Sequence, residues 1–360
     1  MSDTVAPMLS VFPSRALVDE NFKVVVENLP PGSPVTLHSL HQCEDKHYWE
    51  AYGHYISNHR GTVSVTDDLS FGGTYTGKEA MGLLWSMRPV PGSREGLRLR
   101  KRNVCSPLLV NISVYRGHVV EGFREQAPLA SSLTERWYMA PGLQRIEIRE
   151  KGVRGTLFLP PGPGPFPGLL DVWGGGGGLV EYRSALLGSH GYASLALEYF
   201  APGELKSSDL EFNYFETAFN IVKDHPQVMP DKVGIFGLSL GASLTLLLAA
   251  ESSIIKVGRI NCPVMVVNSH DDQNMATVES SEDMAQMMRA AGNLHLLTRL
   301  YYPDAGHLIE PPYTPHFRAT KFVKDTKEKV ILLWGGQTKP HSDAQEDSWK
   351  KILAFLEQNL

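Results

Sequence analysis

A serine, an acid and a histidine, the set that performs nucleophilic acyl transfer, follow one another in the second half of this chain. Ser239 is the centre of Gly237-Leu238-Ser239-Leu240-Gly241, a G-x-S-x-G pattern. Two aspartates, Asp271 and Asp272, come next, and His307 ends Pro303-Asp304-Ala305-Gly306-His307. A serine hydroxyl is a weak nucleophile until a base takes its proton. An imidazole does this best when a carboxylate holds it in the right tautomer. Asp272 is taken as that carboxylate, with Asp271 as the alternative. Each residue alone also has a plain structural reading: a Gly/Ser turn before a core helix, or a histidine after a strand. Their order and settings together favour the triad. His190, His270 and His341 have no comparable setting.

The elements around these residues are what position them. Val233 to Phe236 is a short, β-branched apolar run expected to form a strand buried on both faces, and Ala242 to Ala250 is an almost wholly apolar helix. A tight turn between them lifts Ser239 above the carboxyl edge of a sheet. A side chain at either glycine would crowd that turn. The helix start supplies free N–H groups, Leu240 first, where an oxyanion would form. Leu169 to Trp173 is a strand running into Gly174-Gly175-Gly176-Gly177-Gly178, whose Gly174 and Gly175 are candidates for the second oxyanion N–H. As a phosphate cradle this loop lacks a P-loop's Gly-Lys-Ser/Thr ending. Glu198, at the end of the next strand, leaves a dinucleotide site open on the loop alone, and the downstream Ser, Asp and His make it the poorer reading. Pro263 to Asn268 and Leu296 to Tyr302 are the strands that deliver the acids and the histidine. Ser, then Asp, then His is the chain order of an α/β-hydrolase triad.

The rest of the chain bounds the architecture. Residues 10 to about 125 alternate short β-like runs (Phe22 to Val26, Val35 to Leu37, Gly61 to Val65, Leu108 to Tyr115) with Pro/Gly turns, as in an antiparallel sandwich. From Ile146 onward, strands alternate with helices, which calls for a mostly parallel sheet covered on both faces. The expected division is residues 1–125 as sandwich, 126–142 as linker and 143–360 as the catalytic domain. The chain has 360 residues, 42% of them hydrophobic, enough for two cores. A formal net charge of −5 gives no reason to expect nucleic acid. The basic run Arg98, Arg100, Lys101, Arg102 reads as a solvated strand edge before it reads as a phosphate grip. Three cysteines are too few and odd in number for a disulfide framework. No apolar run is long enough for a bilayer, and no secretory leader is evident. Gln358-Asn359-Leu360 resembles a peroxisomal signal only weakly, so a cytoplasmic location is expected.

Several stretches resemble one family, the type I acyl-CoA thioesterases and their relatives, the bile acid-CoA:amino acid N-acyltransferases. They are Met81-Gly82-Leu83-Leu84-Trp85, Arg154 to Pro161, Gly164 to Gly168, the glycine loop with Gly178 to Arg183, Tyr302 to Tyr313, and Trp334-Gly335-Gly336. The resemblance implies an N-terminal β-sandwich, a C-terminal α/β-hydrolase domain and hydrolysis of a fatty acyl-CoA substrate to free acid and CoA. It implies no cofactor and no metal. Its triad falls on Ser239, Asp272 and His307. In the family the N-acyltransferases carry Cys at the nucleophile position and the hydrolases Ser, so Ser239 implies hydrolysis, with N-acyl transfer the alternative.

In one place the chain departs from the family. Glu251 to Cys262 is a short join where the family has several dozen more residues, including a sheet strand. If the acid-bearing strand moves in beside the elbow strand to fill that slot, Asp272 is carried sideways by about one strand spacing, roughly 4.8 Å, and the triad is broken. If it does not, sheet edge is left bare. A chain of reduced activity, reduced stability or both is therefore expected.

Overall fold

The computed structural model describes residues 5–93, 96, 98–200, 205, 211–251, 256–324 and 326–360. Two compact units account for the chain. The first takes residues 1–137 with 310–332, and the second 138–309 with 333–360.

The first unit contains strands β1 (Met8–Phe12), β2 (Arg15–Leu17), β3 (Lys23–Glu27), β4 (Pro34–Gln42), β5 (Tyr48–Ile56), β6 (Val63–Ser64), β7 (Arg88–Pro89), β8 (Leu108–Arg116) and β9 (Ala130–Trp137), with one helical turn, α1 (Gly82–Trp85). A six-stranded sheet, β2-β9-β8-β4-β5-β7, and a three-stranded sheet, β1-β3-β6, make the expected sandwich. Period-two burial drives it: along β3, Val24 and Val26 go inward while Lys23 and Glu27 stay out. Val24, Val26, Leu37, Tyr55, Val63, Leu83, Ile112 and Val114 form its core. One pair, β2 with β9, is parallel.

The expected boundary at residue 125 needs correcting. Part of the stretch read as a linker is β9, which pairs with β8 from Leu108↔Arg136 to Val114↔Ala130. Its polar sequence hides a strand whose inward residues are Thr134 and Arg136. Arg136 is buried because its guanidinium donates to the carbonyls of Val18 and Glu20. Residues 310–332 also return to this unit, where Arg98 pairs with the buried Glu310. Lys101 meets Glu44, and Arg102 meets Glu44 and Asp45. Three members of the basic run, Arg98, Lys101 and Arg102, are thus paired with acids of the same unit.

In the second unit β10 (Gln144–Glu150), β11 (Val153–Leu159), β12 (Phe166–Val172), β13 (Ala193–Leu197) and β14 (Val228–Gly237) form one sheet in the order β10-β11-β13-β12-β14. The β10–β11 hairpin is antiparallel, while β12 pairs in parallel with both β13 and β14. Helices α2 (Tyr182–Ser189), α3 (Phe212–Lys223) and α4 (Leu240–Ala249) alternate with these strands. α3 presses Phe215, Ala218, Ile221 and Val222 onto the sheet. Beyond α4 come β15 (Val264–Ser269), α5 (Thr277–Ala291), β16 (Leu297–Tyr302) and α6 (Thr338–Asn359), while the intervening hairpin of β17 (Ala319–Val323) and β18 (Lys329–Leu333) falls, but for Leu333, in the residues that return to the first unit.

The short join has a different consequence from the re-pairing feared above. β15 pairs with β16 in a separate two-stranded parallel sheet, and among the described residues β14 ends its own sheet. α4 spans the break. Leu244 and Leu248 pack with the core under β14, while Leu246 and Ala249 pack with Val264 and Val266 of β15. The strands stay apart, so the acid loop is not dragged sideways. The expectation of a β14 strand buried on both faces also fails: Val233 to Gly237 is only half-buried, and Gly241 alone in α4 is fully buried. Among the described residues no further strand pairs with β14 on its open side.

Candidate active site

The elbow is built by close backbone approach. A Cβ on Gly237 would lie 2.2 Å from the carbonyl oxygen of Gly241, and one on Gly241 would lie 2.1 Å from that of Val172. No side chain fits at either position, which gives the pentapeptide its two glycines. Ser239, between them, adopts φ 57° and ψ −121°, a strained region for a non-glycine residue. It caps α4, whose first residue is Leu240. Helix start, dipole end and nucleophile therefore coincide.

The glycine loop lies against this turn. A Cβ on Gly174 would sit 3.7 Å from the Ser239 Cβ, and one on Gly175 would sit 3.8 Å from the Leu240 Cβ. The carbonyl of Gly174 accepts a hydrogen bond of 2.7 Å from the buried Tyr199 hydroxyl, whose pKa burial pushes upward, so it stays a donor. In a planar trans peptide, holding that carbonyl also orients the Gly175 N–H the opposite way.

The three residues singled out by type and order come together. His307 Nε2 is 2.8 Å from Ser239 Oγ, and His307 Nδ1 is 2.8 Å from Asp272 Oδ2. The ring is buried and stacks on the Trp334 indole, centroids 5.6 Å apart at 13°. Asp272 Oδ1 accepts from the N–H groups of Asn274 and Met275, both at 2.8 Å, so its carboxylate is held at both oxygens. Asp271 faces elsewhere: its Oδ2 accepts from Gly336 N–H at 2.8 Å, and its backbone N–H donates to Ala305. The Met275 sulfur lies 3.7 Å from Ser239 Oγ. Glu198, the possible ribose ligand, is paired instead with Arg154.

Two stretches that the sequence offered only as points of resemblance turn out to hold supports of the site. Arg183, buried beneath the elbow, donates to Asp171 Oδ1 at 2.9 Å through Nε and reaches the carbonyls of Val172 and Phe236, both at 3.3 Å. These carbonyls end the strands that carry the glycine loop and the nucleophile. Burial raises the Asp171 pKa, while the guanidinium pulls it down. The second support is Trp334-Gly335-Gly336. The Trp334 carbonyl accepts from His307 N–H at 2.8 Å and Gln273 N–H at 3.3 Å, tying the histidine loop to the acid loop. Gly335 has φ +77°, and a Cβ there would lie 1.9 Å from the Asp271 carbonyl oxygen. Only the unusual Trp-Gly-Gly composition hinted at this in the sequence.

Comparison with known proteins finds both regions of one family in the chain. Residues 19–150 match the acyl-CoA thioester hydrolase/BAAT N-terminal region. Residues 210–256 and 249–360 match the BAAT/acyl-CoA thioester hydrolase C-terminal region, in two pieces that meet at the short join. The chain is 35% identical to the mouse peroxisomal succinyl-coenzyme A thioesterase, over 99% of this chain and 97% of that protein. It is 34% identical to the mouse bile acid-CoA:amino acid N-acyltransferase, over 98% and 97%, and 31% identical to mouse acyl-coenzyme A thioesterase 1, over 98% and 96%. The first of these alignments runs to 422 positions against a chain of 360 residues, so the relative carries a few dozen residues without a counterpart here. A solved dienelactone hydrolase-like phosphotriesterase overlays with a TM-score of 0.42 at 17% identity, covering 60% of this chain and 98% of that one. With both family regions matched and curated relatives aligned along almost its whole length, this chain belongs to the acyl-CoA thioester hydrolase and bile acid-CoA:amino acid N-acyltransferase family.

Proposed function

We propose that this protein hydrolyses fatty acyl-CoA thioesters through an acyl-Ser239 intermediate. The observation that carries the reading is the unbroken relay Ser239 Oγ, His307, Asp272, with both hydrogen bonds at 2.8 Å. Ser239 Oγ attacks the thioester carbonyl carbon as His307 Nε2 takes its proton. The tetrahedral oxyanion forms against the N–H of Leu240 and those of the Gly174-Gly175 loop. The C–S bond breaks, His307 returns the proton to the CoA sulfur, and CoA leaves as the thiol. Water then attacks the serine ester by the same base, releasing free acid and restoring Ser239. Asp272 holds the imidazole with Nδ1–H toward it and stabilises the imidazolium. No metal or redox group enters this scheme.

The second reading is acyl transfer to an amino acid. The near-equal identity to a thioesterase and to an N-acyltransferase favours neither. The serine does discriminate, because an oxygen ester yields to activated water and is less reactive toward amines than a thioester. The test is CoA-thiol release from long-chain acyl-CoA with and without glycine or taurine, with the products resolved by mass. Free acid in both conditions is expected. Conjugate as the main product when the amine is present would replace hydrolysis with transfer.

A further inference from the structure

His341 is passed over by the sequence reading, and the scheme above gives it no task. It lies in the second turn of α6 and is 1% exposed. Its Nδ1 is 3.0 Å from the backbone N of Gly306, and its Nε2 is 2.8 Å from the carbonyl oxygen of Leu308. Gly306 and Leu308 are the residues on either side of His307. An amide N–H can only donate and a carbonyl can only accept, so the ring must be neutral with its proton on Nε2. One flat imidazole therefore grips the 305–306 and 308–309 peptides, which bracket His307 on either side. The neighbouring backbone adds to the grip: Gln337 N–H donates to Asp304 at 2.8 Å, and His307 N–H to Trp334 at 2.8 Å.

We propose that His341 is a positioning residue for the reaction, holding the His307 ring on the line between Asp272 and Ser239. The inference rests on the triad reading given under Proposed function. A relay of two 2.8 Å hydrogen bonds is sensitive to movement of the middle member. Rotation of the 306–308 backbone moves Nε2 and Nδ1 in opposite senses, so both bonds cannot be kept. The free hydroxyl of Ser239 then loses its base, while the oxyanion N–H groups of Leu240 and the Gly174-Gly175 loop keep their own supports. The signature is accordingly a loss in kcat with KM little altered.

The experiment compares His341→Phe, His341→Gln and His341→Asn with wild type in three readouts: long-chain acyl-CoA turnover, fluorophosphonate labelling rate of the folded fraction, and thermal midpoint. Phenylalanine keeps a ring and removes both hydrogen bonds. Glutamine can offer one acceptor and one donor, and asparagine can keep the acceptor for Gly306 alone. His341→Phe is expected to lose roughly tenfold to a hundredfold in kcat and in labelling rate with KM unchanged, the scale set by a misplacement of about 1 Å. Glutamine should recover most of the loss. If His341→Phe does not fold, the comparison falls on glutamine, expected to be faster than asparagine. A folded His341→Phe protein that labels at the wild-type rate, whatever its midpoint, overturns the positioning role and leaves the triad standing. So does glutamine no better than phenylalanine, or, should phenylalanine not fold, no better than asparagine. Absence of labelling in wild type overturns the triad reading itself.

Discussion

Asp271 and Asp272 are adjacent carboxylates with different work, and the difference is set by a single peptide's change of direction. Asp272 holds His307 Nδ1, while Asp271 accepts from Gly336 and anchors the Trp-Gly-Gly segment. Asp272→Asn presents an amide that selects the wrong imidazole tautomer, and turnover should fall by about 10⁴-fold. Asp271→Asn keeps an acceptor oxygen for Gly336 and should cost far less. Steady-state kinetics on both variants check this, and a larger loss in Asp271→Asn would reverse the assignment. Arg183 carries a prediction about stability. Arg183→Met leaves Asp171 buried without its cation, a change worth about 3–5 kcal/mol. Burial already raises this carboxyl, and without the guanidinium it rises further. A raised carboxyl binds its proton more tightly in the folded state. Its penalty is therefore absent below the unfolded pKa of about 3.9 and grows as pH climbs through the folded value. The variant's deficit in urea midpoint should be smallest in mild acid and largest at neutral pH; a deficit independent of pH would contradict this. Ser239, Asp272 and His307 were legible in the sequence because strand ends, small residues and chain order announce them. The roles of Arg183 and His341 were not, because the Asp171 carboxylate and the backbone groups that they bond are brought near only by the folded chain.

The elements show what a missing piece does and does not disturb. Patterns of alternating or continuous apolar residues placed β3, β8, β15 and β16 within a residue or two. β9 was lost because its buried positions are Thr134 and Arg136. The short join was visible as a departure from the family, but its outcome was not. Pairing depends on where α4 can anchor β15, and that packing is a tertiary matter. Because the sheet divides instead of closing up, the expectation narrows to a proposed relay that is kept and a cost that falls on stability. An apolar helix, Leu240–Ala249, and strand Val233–Gly237 remain half-exposed, and each buried methylene forgone is worth about 0.8 kcal/mol. Inserting the corresponding segment of a family relative after Lys256 should therefore raise the melting temperature by several degrees, at about 2–4 °C per kcal/mol for a unit of this size. It should leave kcat/KM within a few-fold. An unchanged midpoint would mean that the divided sheet is already as stable as the closed one.

Across the whole molecule, two units share the chain unevenly. The second holds Ser239, Asp272, His307, Arg183, Trp334 and His341, and the first takes back residues 310–332 after the histidine has been delivered. That return was illegible from composition, since Glu310 to Leu332 reads as a tail of the catalytic domain until Arg98–Glu310 and the Tyr313–Asn21 hydrogen bond reveal where it packs. Among the described residues no helix is long and apolar enough to cross a membrane. The central claim is that a chain lacking a piece of its sheet still presents an activated serine at position 239. The direct measurement is reaction of the intact protein with a fluorophosphonate probe, followed by peptide mass mapping, with Ser239→Ala as control. The account predicts one covalent adduct, on Ser239, absent from the alanine variant. No adduct on the folded wild-type protein, or an adduct on another residue that persists in Ser239→Ala, would contradict it.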